Sequence, residues 1–287
     1  MPSPKSVPFL AALHALAFYV AAAIAAFGWA CCALVRWDAS PWMPLWFCGA
    51  LLIYNVDRLR SDPADRINLP ARTALIRRLR PAGFAIAALS ALVLVVPPFL
   101  RRDWLSLALV VAGAIAGLSY SVPIFGVRLK SVPLLKTFFA PVAVVCAIFV
   151  PPWLREGAPA HAFIALAWAW CLLEFNMILC DVRDIEGDGA CGISTLPSLL
   201  GEKGTLSTLV ALIVITTVLA LAKGLVGPRD ADSWLALGSV GAALLTTILI
   251  ESRVRRSEQF YEWAVDGLLF FPAVIVTVVP LLSGWFT

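Results

Sequence analysis

The chain has 287 residues, of which 61% are hydrophobic and only 14% charged, with a mean hydropathy of +0.90. A soluble domain carries roughly 25% charged residues, so the composition excludes a water-soluble globular enzyme and points to an integral membrane protein. The net charge of +4 is accounted for by membrane topology and requires no nucleic-acid partner.

At roughly 20 residues per crossing plus loops, the chain has room for about nine spans. They are expected near residues 9–34, 41–57, 82–100, 104–121, 133–153, 160–181, 205–225, 233–251 and 263–285. The predicted fold is all-α, a polytopic bundle around a central cavity, and residues 1–287 read as one domain. The opening stretch MPSPKSVPFLAALHALAFYV lacks a short apolar core followed by a cleavage site, so it reads as a first span. None of the seven cysteines forms a CxxC pair. Most lie in apolar runs, as small buried hydrophobes do.

The loops between these spans alternate in charge. Sixteen of the 22 Lys and Arg fall on one side, among them Lys5, seven arginines between Arg58 and Arg80, and Arg128, Lys130 and Lys136. Six fall on the other. The positive-inside rule places the richer side, with the N-terminus, in the cytoplasm, and the expected location is a bacterial inner membrane.

The second span ends in IYNVDRLRSDPADRINLP, residues 53–70. Asp57 follows an apolar run at the membrane edge, one turn after Tyr54. Asp62-Pro63-Ala64-Asp65 has two readings. It is a good helix start, with Asp as N-cap and Pro at the first helical position, or its acids are metal ligands. Arg58 and Arg66 also suit headgroup anchors.

Between the fourth and fifth spans lies SYSVPIFGVRLKSVPLLK, residues 119–136. Tyr120, Pro123 and Pro133 predict a rigid non-helical turn. Arg128 and Lys130 stand on it as candidate phosphate-binding cations, with Lys136 one turn into the next span. The alternative is that all three only follow the positive-inside rule.

The sixth span delivers EFNMILCDVRDIEGDGACGISTLP, residues 174–197. If the helix runs to about Gly187, spacings of three and four put Asp181, Asp184 and Asp188 on one face, with Glu174 two turns earlier. Gly187, Gly189 and Gly192 are expected to break the helix and let backbone approach a ligand. Carboxylates so crowded repel one another unless a cation sits among them, and hard oxygen donors suit Mg²⁺. A solvated acidic loop is the plainer reading. Asp266, early in the last span, is an acid of the kind that usually faces a polar cavity.

The ends of the second and sixth spans form a weak repeat: both carry spaced aspartates and close with Leu-Pro. Two halves, roughly 9–121 and 133–251, followed by a last helix 263–285, would bring two acidic clusters across one cavity, able to bind bridging Mg²⁺ and a diphosphate.

The stretch Asp181-Val-Arg-Asp184-Ile-Glu-Gly-Asp188, followed by Gly192-Ile-Ser-Thr195-Leu-Pro197, resembles the second aspartate-rich motif of the UbiA superfamily of intramembrane prenyltransferases. The segment YSVPIFGVRLK resembles that superfamily's Tyr-Ser-x-Pro-Pro…Arg-Leu-Lys loop. The first motif departs from the family's Asn-Asp-x-x-Asp-x-x-x-Asp: Asp57 falls at the Asn, Arg58 at the first Asp and Ser61 at the second, while Asp65 keeps the third. Asp62 is displaced by one place.

The resemblance implies transfer of an isoprenyl group from a prenyl diphosphate to an aromatic or lipid acceptor, within the membrane and with Mg²⁺ as cofactor. Asp57, Asp62, Asp65, Asp181, Asp184 and Asp188 are the implied metal ligands. Lys130, Arg128 and Arg72 would meet the leaving diphosphate. Tyr54, Tyr120 and Phe175 would face an allylic cation. Asn55, Arg58, Asn176, Lys136 and Asp266 complete the implied substrate contacts. A terpene cyclase on the same fold and a catalytically silent prenyl-lipid-binding relative stay open. A transporter is disfavoured because the acids gather at the cytoplasmic rim and not at a midplane break. The aspartate pattern of CDP-alcohol phosphotransferases is absent.

Overall fold

A computed structural model describes residues 8–60, 62–122, 129–226, 231–254 and 257–283, and within these the chain is helical, without a strand. The first helices are α1 (Phe9–Ala15), α2 (Phe18–Val35), α3 (Met43–Leu59), α4 (Pro63–Asn68) and α5 (Pro70–Arg78). They are followed by α6 (Arg80–Leu100), α7 (Trp104–Ser121), a 3-10 turn at Leu129–Ser131, α8 (Leu135–Glu156), α9 (Ala162–Ala190), α10 (Leu196–Val226) and α11 (Ala231–Val254). The last span is irregular. A short α12 (Glu258–Phe260) leads into a π turn at Tyr261–Val265, a 3-10 turn at Asp266–Phe270 and α13 (Phe271–Ser283).

Among the described residues, seven helical segments are long and apolar enough to cross a membrane. The shorter α3 and α7 fill the other two expected places. The first span is not continuous as expected: Ala17 takes a left-handed φ of 64° and separates α1 from α2. Proline opens α3, α4, α5 and α6 within their first two positions, where the missing N–H costs nothing. In α10, Gly201 leaves the helical conformation (φ 66°, ψ −177°), so residues 196–200 form a short segment before the span.

The helices pack as neighbours: α10 against α9 and α11, α3 against α6 and α2, and α8 against α9. Large side chains such as Trp42, Trp234, Phe27, Phe149 and Phe175 fill the interior. Leu89, Leu92 and Phe99 on α6, and Val210, Val214 and Val218 on α10, stay exposed. An apolar outer face of this kind is stable in hydrocarbon but not in water. All seven cysteines are free thiols.

Two sequence expectations about α9 change. The helix runs unbroken through Gly187 and Gly189 and ends only at Cys191, with Gly192 in the left-handed region (φ 71°). Ile193 N–H then bonds back to Asp188 O at 2.9 Å, as a helix closed by a left-handed glycine does. Gly187 serves protein packing and not a ligand. A Cβ there would lie 2.5 Å from both Ala64 O and Asn68 Oδ1. The bare backbone lets α4 sit on α9, and Gly187 N–H donates to Asn68 Oδ1 at 2.7 Å.

Candidate active site

The packing of α4 on α9 brings together the two acidic stretches, 57–65 and 181–188. Both face a single cavity of about 550 Å³ bounded by α3, α7, α8 and α9. Its mouth carries Asp57, Asp62, Asp65, Arg58, Arg72, Lys130, Lys136, Asp181, Arg183, Asp184 and Asp188. Its deeper walls are apolar and small, with Gly113, Ala116 and Gly117 on α7 facing Ala140, Ala143 and Ala147 on α8. Such a space suits a hydrocarbon tail beneath a charged head.

The two readings of Asp62 both hold. Its Oδ1 accepts from Ala64 N–H at 3.1 Å as the N-cap of α4, with Pro63 at the first helical position. Its Oδ2 also lies 2.9 Å from Lys130 Nζ, which reaches Asp57 Oδ1 at 3.1 Å. Burial works against the charged form of Lys130, but Asp57 and Asp62 outweigh it and hold its pKa above the ordinary lysine value. Burial pushes the Asp65 carboxyl up, Asp57 adds to this, and Arg72 and Lys130 oppose it.

On α9 the three aspartates share a face, as their spacing predicts, but they are not wet. Asp181 is 0% exposed, Asp188 3% and Asp184 8%. Lys136 Nζ stands among them, at hydrogen-bonding distance from Asp188, 3.5 Å from Asp181 Oδ1 and 3.7 Å from Asp184 Oδ2. Thr137 Oγ1 donates to Asp181 Oδ2 at 2.5 Å and accepts from Leu196 N–H at 3.1 Å. Arg183 grips Asp184 through two bonds, 2.7 and 2.9 Å, and lies over the Tyr261 ring at 5.5 Å.

Other predicted residues divide. Tyr54, Tyr120, Asn176 and Asp266 line the cavity. Asn176 Nδ2 donates to Val265 O at 2.5 Å, a carbonyl in the irregular part of the last span. Arg58 lines the mouth but donates to His14 O and stands 5.7 Å from the Tyr54 ring. Arg72 sits at the start of α5, where Glu258 accepts from the Ala71 and Arg72 N–H groups at 3.3 Å.

Several expectations need correction. Asn55 does not reach the cavity; its amide donates to Leu16 O at 3.0 Å and Leu51 O at 2.8 Å. Phe175 is wholly buried in the core, and Phe139, stacked on Tyr120 at 5.7 Å, lines the cavity instead. Glu174 is buried outside the cavity, although it lies on the aspartate stripe. Arg128 and Ser61 lie outside the described residues.

Sequence reasoning missed Arg183, Thr137, Phe139 and Asn68. Arg183 was visible only as a loop cation, although it is next to Asp184 in the motif. Thr137 carried a weak signal as a polar residue directly after Lys136 in an apolar run.

Among the described residues, no three Asp, Glu, His or Cys stand close enough to form a ready metal cage. The donor chemistry still fits Mg²⁺ in its usual manner, which takes one or two carboxylates plus substrate phosphates. Carboxylate oxygens on the α3–α4 side face α9 across one mouth, with cations beside them for an anionic head.

A sequence model of the UbiA prenyltransferase family matches residues 62–271. A curated relative, the digeranylgeranylglyceryl phosphate synthase of Natronomonas pharaonis, is 26% identical over 159 residues, 54% of each chain. The chain thus spans about half the length of that curated relative. Among solved structures, the apo form of a UbiA homolog from Aeropyrum pernix K1 is similar with a TM-score of 0.57 and 16% identity, covering 91% of this chain and 98% of that one. At that identity the likeness speaks for the fold alone.

Proposed function

The chain belongs to the UbiA prenyltransferase family, and from that premise we propose that it transfers an isoprenyl group from a prenyl diphosphate to an acceptor within the membrane, with Mg²⁺. The observation that carries this reading is the single cavity with acids and cations at its mouth and small apolar residues below. The diphosphate lies at the mouth, near Lys130 and Arg72, and the prenyl tail runs along the small-residue walls of α7 and α8.

In the reaction the allylic C–O bond breaks and its electron pair leaves with the diphosphate. A nucleophile of the acceptor supplies the pair for the new bond and then loses a proton. Asp57, Asp62, Asp65, Asp181, Asp184 and Asp188 are the candidate metal ligands, and Mg²⁺ held among them supplies Lewis-acid charge to the leaving group. Lys130 and Arg72 stabilise the negative charge that grows on the departing diphosphate. The faces of Tyr54 and Tyr120 meet the allylic cation. Asn176 and Asp266, on the far wall, orient the acceptor. The name of the Natronomonas relative, a synthase of digeranylgeranylglyceryl phosphate, favours a lipid acceptor over an aromatic one. The acid clusters belong to the two proposed halves of the chain, and the mouth faces the cytoplasm.

The test is diphosphate release from geranyl, farnesyl and geranylgeranyl diphosphate in membranes, with and without a chelator, followed by identification of the prenylated product. Release that ignores both chelator and Asp65→Asn would refute the metal mechanism. Donor binding without release would support the silent relative. Release without a coupled product would support the cyclase.

A further inference from the structure

The α9 acids form half of a two-sided acidic mouth, but a side chain of the protein already fills their centre. Lys136 Nζ contacts carboxylate oxygens of Asp181, Asp184 and Asp188 within 4 Å, and its side chain is only 13% exposed. A Mg²⁺ ion holding these carboxylates needs oxygens at about 2.0–2.1 Å in near-octahedral array. It would have to sit where the ammonium sits, and the two cannot share that point.

The position of Lys136 is built. It stands in the first turn of α8, where the positive end of the helix dipole disfavours a cation. Leu134, just before the helix, takes a left-handed φ of 64°, a conformation that costs free energy for a leucine. Three bonds then tie this turn to the ends of α9 and α10: Leu134 N–H to Ser194 O at 3.1 Å, Thr137 Oγ1 to Asp181, and Leu196 N–H to Thr137 Oγ1. A lysine serving only topology needs none of this. The charges agree: Lys136 and the bidentate Arg183 offset two of the three carboxylates.

We infer that Lys136 is a resident cation that takes the place of a metal ion in the α9 cluster, so that the protein binds one divalent ion, on the Asp57–Asp65 side, and not two. Lys136 is thus a specificity-determining residue for the cofactor. The inference rests on the prenyl-transfer reading only for the identity of the anionic head; the ion count is independent of turnover.

The test is a Mn²⁺ titration of the full chain in detergent, with free ion read by electron paramagnetic resonance, in the presence of inorganic diphosphate. The wild type should bind one ion per chain. Lys136→Met should bind two, the second at least about tenfold more tightly than any second ion in the wild type, because the cluster regains a full charge and the space. Lys136→Arg, which keeps the charge, should stay at one. If Lys136→Met does not fold, the double variant Lys136→Met/Asp188→Asn preserves the charge balance, and it should bind two ions through Asp181 and Asp184. Two ions in the wild type, or one ion in every folded variant, would overturn the inference. Failure of prenyl release with the predicted ion counts intact would count against the proposed reaction and leave the resident lysine standing.

Discussion

Gly187 offers the sharpest test of how the site is assembled. Replacing it by Ala has one favourable term: Ala is better than Gly inside a helix by about 0.8–1.0 kcal/mol. Against it, the new Cβ would lie 2.5 Å from Ala64 O, a backbone atom that cannot rotate away. Overpacking of this kind costs about 1–3 kcal/mol. The bond from Gly187 N–H to Asn68 Oδ1 would be lost as α4 moves off, a further loss of about 0.5–1.5 kcal/mol. The net effect is destabilisation by about 1–3 kcal/mol. Gly189, two residues along the same helix, has nothing within 4 Å of its Cβ position, so Gly189→Ala should be neutral or stabilising by up to about 1 kcal/mol. The pair can be compared by thermal unfolding in detergent with a thiol-reactive dye, which reports the buried Cys31, Cys32 and Cys171 as they open. Because α4 carries Asp62 and Asp65, Gly187→Ala should also slow diphosphate release at least about tenfold, as misplacement of positioning groups does. Equal melting temperatures and equal release rates for the two variants would refute the close-approach argument.

Asp62→Asn should keep the melting temperature, since Asn caps a helix as well as Asp, while Asp62→Ala should lose about 0.5–2 kcal/mol; both should weaken donor binding, and a stable Ala variant would remove the capping role. Because the folded pKa of Lys130 is raised above the ordinary 10.5, its ion pairs are fully present below that value and are lost as pH rises through the folded pKa. The difference in Tm between wild type and Lys130→Met should therefore be constant from pH 7 to 9, and a decline within that window would count against the pairing. Topology is checked by reporter fusions: the sixteen-to-six basic asymmetry and nine spans predict a cytoplasmic N-terminus and a periplasmic C-terminus. A fusion after Thr287 active only in the cytoplasm would overturn this.

The legible parts of the molecule were those set by local rules. Composition and span length pointed to an all-α membrane bundle, spacing put the α9 acids on one face, and Asp62-Pro63 announced a helix start. What escaped depended on partners distant in sequence. Nothing near Gly187 shows that Ala64 O will lie over it. Nothing near Asn55 shows that its amide is taken by Leu16 O rather than by substrate. Phe175 and Asn176 are neighbours in sequence but 100° apart on the helix, and only the packing of α9 decides which one sees the cavity. The burial of the aspartates escaped for the same reason, since the lysine that permits it comes from another helix.

The double attachment of Asp62, cap to α4 and partner to Lys130, bears on how this sequence can drift. A lineage that lost its chemistry would still be held to an oxygen-bearing side chain at 62 by the fold, so an acid at that place is not by itself a record of activity. Asparagine keeps the fold and surrenders the charge, which leaves Lys130 with less reason to persist. Across related chains, exchange of Asp62 for asparagine should therefore travel with loss of the lysine at 130, and exchange for alanine should be scarce whether the lysine is kept or not.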